Sequence, residues 1–306
     1  MDRRGFLTCG AGAVAAATVG CATTGGVSQA EGRRHCPFRL GVAGITLVDF
    51  KFDAALAELK KWDVEWFCAK SFHFPLDASE AELKALVRKA SDFGVKLYGA
   101  GPIWLQSPDE VRKAFDYCAI LGVPTLVGLP GALKHPELGA WKGLVPDRKL
   151  CEFTSEKADE YGINVAIHNH GRNPQTGNPN FYPAVPETAE IIHDLSPRMG
   201  FCVDIAYTFA DGLDPVEIIE RYGDRIYDVH LRNVAVPTNG SSGAPADAGM
   251  IDYVRIFRAL KAVGYSGVCG LELQNAYCKP DAVNPRADPS WIPRSLGYFR
   301  GLMDVI

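Results

Sequence analysis

The feature that most constrains the fold is an eightfold alternation of short apolar stretches with amphipathic ones. Nearly continuous apolar runs indicate strands that are buried on both faces, as in a parallel sheet. The predicted strands cover residues 39–46, 64–72, 95–100, 125–129, 164–169, 199–205, 225–231 and 267–273. Eight strand–helix units in one chain predict an α/β fold consisting of a single (β/α)₈ TIM barrel.

The boundaries of the intervening helices carry capping residues. Ser79 and Glu82 have the spacing of a capping box. A proline follows Ser107 and Asp214, where the first helical turn needs no backbone N–H, and Asp53 precedes another helical stretch. Five glycines are predicted to end helices in a left-handed conformation: Gly94, Gly122, Gly162, Gly223 and Gly264.

Composition and charge exclude several classes of protein. The chain has 306 residues, of which 47% are hydrophobic and 22% charged, with a net charge of −4. These values are ordinary for a folded domain and exclude a disordered chain. No clustered basic surface is evident, so no nucleic-acid partner is expected. The rival architecture, an open doubly wound sheet, usually has a GxGxxG turn after its first strand, and residues 41–44 lack it.

Residues 1–34 are predicted to be an export signal and linker, with the barrel in residues 35–306. Arg3, Arg4, Phe6 and Leu7 match a twin-arginine signal ahead of a short Ala- and Gly-rich stretch, which indicates export to the periplasm. An amphipathic or disordered start with accidental arginines is the alternative. Cys21 follows small residues, as in a weak lipidation motif, so a lipid anchor and an unmodified Cys21 both stay open.

The nine cysteines do not form a disulfide framework in the sequence. Two lie in the predicted signal region, and no CxxC pair occurs. A bridge that involves Cys36 or Cys278 stays open. Five others are predicted to be small buried hydrophobes: Cys68, Cys118, Cys151, Cys202 and Cys269.

Titratable side chains recur where the predicted strands end, and in a barrel these ends share one mouth where active sites form. They are Lys70, His73, His168, His170, Asp204, His230 and Glu272. A carboxylate in an apolar strand is costly unless it is paired or binds a cation. Taken singly, each residue is explained by a buried hydrogen bond. Four of them come from consecutive strands and form an N₂O₂ set that predicts one divalent ion, Mn²⁺ or Zn²⁺ ahead of Co²⁺ or Fe²⁺: His168, Asp204, His230 and Glu272.

Three motifs carry a family resemblance. Asp204 on the sixth predicted strand, His-Leu-Arg beginning at His230, and Gly-Leu-Glu ending at Glu272 resemble the xylose isomerase-like sugar phosphate isomerase/epimerase superfamily, over essentially the whole chain after residue 37. The resemblance implies a TIM barrel with one divalent metal held by Glu, Asp, His and Glu. The chain departs from that pattern at His168, where the family usually has Glu, and at Tyr207, where many members have a substrate-contacting His.

The resemblance implies a metal-dependent isomerase or epimerase that removes a proton next to the carbonyl of a small carbohydrate. Epimerisation with two bases uses a carboxylate on each face of the substrate. Glu272 supplies one, but His168 cannot accept a proton while its lone pair binds a metal. His170 and Lys70 are further candidate bases. A single-base reaction, elimination from a keto-sugar or its hydration, is therefore the alternative.

Five further residues are predicted to contact the substrate: His73, Trp104, Asn169, Tyr207 and Arg232. Arg232 lies two residues after His230 and so on the same side of the strand, where pairing with a carboxylate is its alternative role. Two other functions stay open. They are a non-catalytic periplasmic sugar binder and an abasic-site endonuclease, and the acidic charge disfavours the second. No oligomeric state follows from the sequence.

Overall fold

The computed structural model describes residues 36–133, 144–170, 184–237, 243–273, 288 and 290–306. The predicted signal and linker therefore lie outside the described residues. The strands are β1 (Arg39–Ala43), β2 (Trp66–Ala69), β3 (Lys96–Leu105), β4 (Thr125–Leu133), β5 (Leu144–Pro146), β6 (Asn164–His168), β7 (Met199–Asp204), β8 (Ile226–Leu231) and β9 (Val268–Leu271). The helices are α1 (Phe52–Lys61), α2 (Glu80–Asp92), α3 (Pro108–Leu121), α4 (Arg148–Tyr161), α5 (Val185–Ile192), α6 (Ile205–Ala210), α7 (Pro215–Tyr222), α8 (Tyr253–Ala262) and α9 (Trp291–Val305).

Eight parallel strands close into a ring. They follow the order β1-β2-β3-β4-β6-β7-β8-β9, and β9 pairs back to β1. The short strand β5 pairs antiparallel with β4 outside this ring. Each ring strand coincides with one predicted apolar run, which confirms the single (β/α)₈ barrel. No helix in the described part of the chain is long and apolar enough to cross a membrane.

The predicted helix starts are largely confirmed. Ser79 and Glu82 form a complete capping box at α2. The side chain of Ser107 accepts a hydrogen bond from the backbone N–H of Glu110, and Asp214 accepts one from the N–H of Val216. Helix α1 differs because it begins at Phe52, one residue before Asp53, and has no side-chain cap.

Four of the five predicted glycine caps have positive φ angles: Gly94, Gly122, Gly162 and Gly264. The prediction for Gly223 is wrong, because this residue has φ −56° and continues from α7 into a 3₁₀ turn (Gly223–Arg225). The backbone therefore passes from the α-helix into a 3₁₀ turn at this glycine, without the left-handed residue that was predicted. Strand β5 and helix α6 were not predicted, because each is too short to show a periodic pattern.

The hydrophobic core has two parts. The larger packs the strands against the surrounding helices. The smaller, called the inner cluster below, lies inside the barrel and consists of Cys68, Tyr98, Val127, Ala166, Cys202 and Val268. Tyr98 spans this interior to reach β9, where a Cβ at position 270 would collide with its Oη atom. Position 270, two residues before Glu272, therefore has to be glycine, because the hydroxyl group of Tyr98 packs against its Cα.

The prediction of buried, unpaired thiols is confirmed for all five cysteines named for it: Cys68, Cys118, Cys151, Cys202 and Cys269. Cys36 is partly exposed and also free. Cys278 lies outside the described residues, as do the two cysteines of the predicted signal region.

Candidate active site

The four predicted metal ligands come together at the carboxyl ends of consecutive ring strands. His168 and Asp204 end β6 and β7, His230 lies near the end of β8, and Glu272 directly follows β9. The strand register places Asp204 beside His230. One potential ligand atom from each of the four side chains lies within 4.8 Å of all the others. All four residues are buried.

The spacing of these atoms suits one small cation. His168 Nε2 lies 3.0 Å from His230 Nδ1, and His230 Nδ1 lies 2.6 Å from Glu272 Oε2. Asp204 Oδ2 is 3.8 Å from His168 Nε2. In a tetrahedral site with bonds near 2 Å, neighbouring ligand atoms are about 3.3 Å apart. Small side-chain adjustments therefore bring all four donors onto one ion.

Protonation within the cluster is uneven. Burial lowers the pKa of His168 well below its ordinary value, so its imidazole is neutral and has a lone pair. For His230, burial also favours the neutral form, but Cys202, Glu272 and Asp228 outweigh it and raise its pKa. Burial opposes ionisation of Glu272, yet the neighbouring His230 and Arg232 hold its pKa well below the ordinary value. The His230–Glu272 contact is thus a proton-bearing pair that a divalent cation would replace.

Asp204 has three roles in the structure. Its Oδ1 atom caps α6 by accepting a hydrogen bond from the backbone N–H of Tyr207. Its Oδ2 atom accepts a hydrogen bond of 2.7 Å from Nη2 of Arg232, and it also faces the ligand cluster. Burial raises the pKa of Asp204, with Arg232 acting against that shift. The guanidinium of Arg232 in turn lies 4.4 Å from the ring centroid of Tyr207.

The chemistry of the donor set fits a divalent metal. Two imidazole nitrogens and two carboxylate oxygens suit Zn²⁺, Mn²⁺, Co²⁺ or Fe²⁺ better than the all-oxygen preference of Ca²⁺. The charge of the site is also compatible with a divalent cation. Three carboxylates (Asp204, Asp228 and Glu272) are buried around the cluster together with Arg232. One divalent ion compensates the remaining negative charge when both histidines are neutral ligands.

A cavity of about 440 Å³ opens beside the cluster. Lys70, His168, His170 and Glu272 are among the polar residues that line it, and Trp104 is among the apolar ones. Nζ of Lys70 donates a hydrogen bond of 2.8 Å to the carbonyl oxygen of Pro102, and burial lowers the pKa of this amine to about 8. The pKa of the Lys70 amine is therefore close to neutral pH, and the amine lines the same cavity as two of the predicted metal ligands, His168 and Glu272.

The predicted substrate-binding residues divide into two groups. Trp104 lines the cavity. The other four are not among the residues that line it, and they contact neighbouring protein groups. The Nε2 atom of His73 lies 2.9 Å from the carbonyl oxygen of Phe50. Asn169 accepts a hydrogen bond from the N–H of Asp204, and Tyr207 packs between Arg232 and the ring of His170, whose centroid is 3.9 Å away.

One residue near the ligands was missed by sequence reasoning. Asp228 lies two residues before His230 on β8, is fully buried, and has its Oδ2 atom 3.3 Å from Nε2 of His230. The available signal was an acid inside an apolar strand, at the spacing that puts it on the same face as a predicted ligand.

Known proteins share this architecture and part of the sequence. An inosose dehydratase from Lacticaseibacillus casei is 28% identical over 155 residues, covering 44% of this chain and 47% of that protein. The chain thus matches about half the length of this curated relative. A xylose isomerase domain protein from Alicyclobacillus acidocaldarius superimposes with a TM-score of 0.68 at 14% identity, covering 87% of this chain and 98% of that one. The IolI protein with a bound zinc atom gives 0.67 at 15% identity, with the same coverage.

At these identities the structural similarity shows the fold alone. The profile of a protein family described as xylose isomerase-like TIM barrel matches residues 53–300. That range begins in α1 and extends into α9, and it includes all four predicted ligands. The chain belongs to the xylose isomerase-like TIM barrel family.

Proposed function

We propose that this protein is a divalent-metal-dependent lyase that removes the proton next to the carbonyl of a small keto-carbohydrate and expels a β-hydroxyl group as water. One observation carries the proposal. His168, Asp204, His230 and Glu272 converge within 4.8 Å, and two of them, His168 and Glu272, line a cavity together with Lys70, whose pKa is lowered to about 8 by burial.

A divalent ion held by these four residues would act as a Lewis acid on the ketone oxygen and acidify the neighbouring C–H bond. Lys70 takes that proton in its neutral form, because burial lowers the pKa of the amine to about 8, which leaves roughly a tenth of it neutral at pH 7 and half at pH 8. The electron pair of the broken C–H bond forms the new C=C bond as the β C–O bond breaks. His170, which lines the same cavity, donates a proton to the departing hydroxide, so water leaves.

A histidine in place of a carboxylate at the end of β6 favours elimination over two-base epimerisation. His168 occupies the β6 position, and as a ligand it has no lone pair left to accept a proton. Among the described residues that line the cavity, the other carboxylate is Glu110. Its Oε2 atom accepts a hydrogen bond from the backbone N–H of Gln106, just before α3. This carboxylate therefore has a structural partner at the start of the helix. The similarity to an inosose dehydratase supports the same reaction type.

Turnover of a panel of keto-cyclitols and keto-sugars tests the proposal. The purified protein is stripped with a chelator, reloaded separately with Mn²⁺, Zn²⁺ or Co²⁺, and assayed in D₂O. We expect metal-dependent loss of one water from at least one substrate, seen as enone absorbance and by mass spectrometry. Deuterium incorporation and an epimeric product without water loss would show an epimerase instead. No turnover with any of the three metals would overturn the proposed function.

A further inference from the structure

Asp228 is a buried carboxylate that the reaction described above does not use. It lies inside the barrel, where its Cα partner on β7 is Cys202, a member of the apolar inner cluster. Its Oδ1 atom accepts a hydrogen bond of 2.8 Å from the backbone N–H of Val229. Its Oδ2 atom lies 3.3 Å from Nε2 of His230. Among the described residues, His230 supplies the ion-pairing contact to this carboxylate.

A carboxylate in such a place needs a reason. Burying a charge among apolar side chains costs several kcal/mol unless good hydrogen bonds compensate it, and an apolar residue of similar volume is often at least as stable. Its neighbours in the inner cluster provide thiols, methyls and one phenol, none of which is a cation. The contact with His230 is therefore the feature that accounts for an acid at this position.

The contact determines which nitrogen of His230 is available. Nδ1 is the atom that faces His168 and Glu272, so Nδ1 has to carry the lone pair when a cation binds. The proton then lies on Nε2, 3.3 Å from Oδ2 of Asp228, which is placed to accept it. Carboxylates that accept the distal N–H of a metal-ligating histidine fix its tautomer and raise its basicity, and losing one typically weakens metal binding 10- to 100-fold.

The charge of the site depends on the same contact. With both histidines neutral, Asp204 and Glu272 neutralise a divalent ion, but the guanidinium of Arg232, 2.7 Å from Asp204, leaves the buried site with one excess positive charge. Asp228 supplies the compensating negative charge from behind His230. The site is then neutral although only two of its four ligands are carboxylates.

We infer that Asp228 is a positioning residue, which presents Nδ1 of His230 to the cation and neutralises the charge that Arg232 adds. This inference rests on the proposed function, because it assumes that the cluster binds a divalent ion. Asp228 touches neither the cavity nor the reacting atoms, so its effect is on the affinity and geometry of the metal site.

Metal affinity and the tautomer of His230 test the inference together. Zn²⁺ and Mn²⁺ affinities are measured by competition with a chromogenic chelator for the wild type, Asp228→Asn and Tyr98→Phe. The last is a matched control, because it removes a polar atom from the same inner cluster while leaving His230 untouched. We expect a loss of roughly 10- to 100-fold for Asp228→Asn and a change below about twofold for Tyr98→Phe. Adding His168→Glu to Asp228→Asn returns a negative charge to the site and should restore at least part of the lost affinity.

Long-range ¹H–¹⁵N spectra of the Zn²⁺-loaded wild type report the tautomer without any variant. We expect His230 to carry its proton on Nε2 and to bind zinc through Nδ1. Zinc on Nε2, equal affinity of the wild type and Asp228→Asn, or an equal loss in Tyr98→Phe would each overturn the inference and leave the proposed function intact. A wild-type protein that binds neither metal would overturn both.

Discussion

Replacing Arg232 with methionine tests how far charge compensation holds the barrel interior together. Nη2 of Arg232 lies 2.7 Å from Oδ2 of Asp204, and the residue is only 2% exposed. Removing one partner of a buried pair leaves an uncompensated charge and typically costs about 3–5 kcal/mol. At roughly 2–4 °C per kcal/mol for a domain of this size, the metal-free Tm should fall by about 10 °C.

The same variant should respond more strongly to metal than the wild type does. The Arg232→Met variant lacks the positive charge beside Asp204. A divalent ion bound at the cluster would replace that charge. The increase in Tm on adding Zn²⁺ or Mn²⁺ should therefore be larger in the variant, so the gap between the two proteins narrows in the loaded state. Thermal unfolding followed by circular dichroism, with chelator and with saturating metal, measures both effects.

Arg148→Met is the matched control for this experiment. Arg148 pairs with Glu152 and Asp194 at 2.8 and 2.7 Å, similar in geometry to the Arg232 pair, but it lies at the surface, where water and salt screen the charges. Its loss should leave Tm close to the wild-type value and its metal response unchanged. Equal destabilisation by the two substitutions, or a Tm gap that widens on metal addition, would refute the charge-compensation argument.

Two further predictions concern the reacting groups. Because the pKa of Lys70 is lowered to about 8, its neutral fraction grows as the pH rises through that value, so kcat/KM for water loss should climb up to about pH 8 and then level off. Lys70→Arg, which stays charged, should lose this limb and about 10²- to 10⁴-fold in rate. His168→Glu should gain exchange of a substrate α-proton with deuterated solvent, measured by NMR, because it puts a carboxylate at the end of β6, where a second base would act. The absence of any exchange in this variant would contradict the single-base interpretation.

The fold was predictable because the ring strands are buried on both faces and therefore read as continuous apolar runs. The convergence of the four predicted ligands was predictable for a related reason, since Asp204 and Glu272 are acids within or beside such runs, where burial makes an uncompensated charge costly. Helix α6 was missed because the apolar pattern of β7 continues into its first residue, Ile205. Asp204 both ends the strand and caps the helix there.

The surroundings of the ligands could not be predicted from spacing. Two-residue spacing correctly places Asp228 and Arg232 on the side of β8 that carries His230, but it says nothing about their partners. Which side chains they contact is determined by the register of neighbouring strands and by the closure of the strand ring. β7 beside β8 puts Asp204 within reach of Arg232, so the guanidinium packs behind the cluster, whereas a substrate contact in the cavity was predicted for it. That role stays a prediction.

The two departures from the superfamily pattern belong to one electrostatic arrangement. Histidine at position 168 makes the ligand set less negative, which by itself favours a cation that polarises a ketone strongly. The ring of Tyr207 packs on the guanidinium of Arg232, 4.4 Å from the ring centroid. The positive charge of Arg232 lies beside Asp204. A buried site with more positive charge would bind a divalent ion less well unless an anion lay nearby, and Asp228, 3.3 Å from Nε2 of His230, is placed to be that anion. If the cluster binds a divalent ion as proposed, we expect histidine at position 168 and the carboxylate of Asp228 to depend on each other, since either one alone would leave the barrel interior with a net charge.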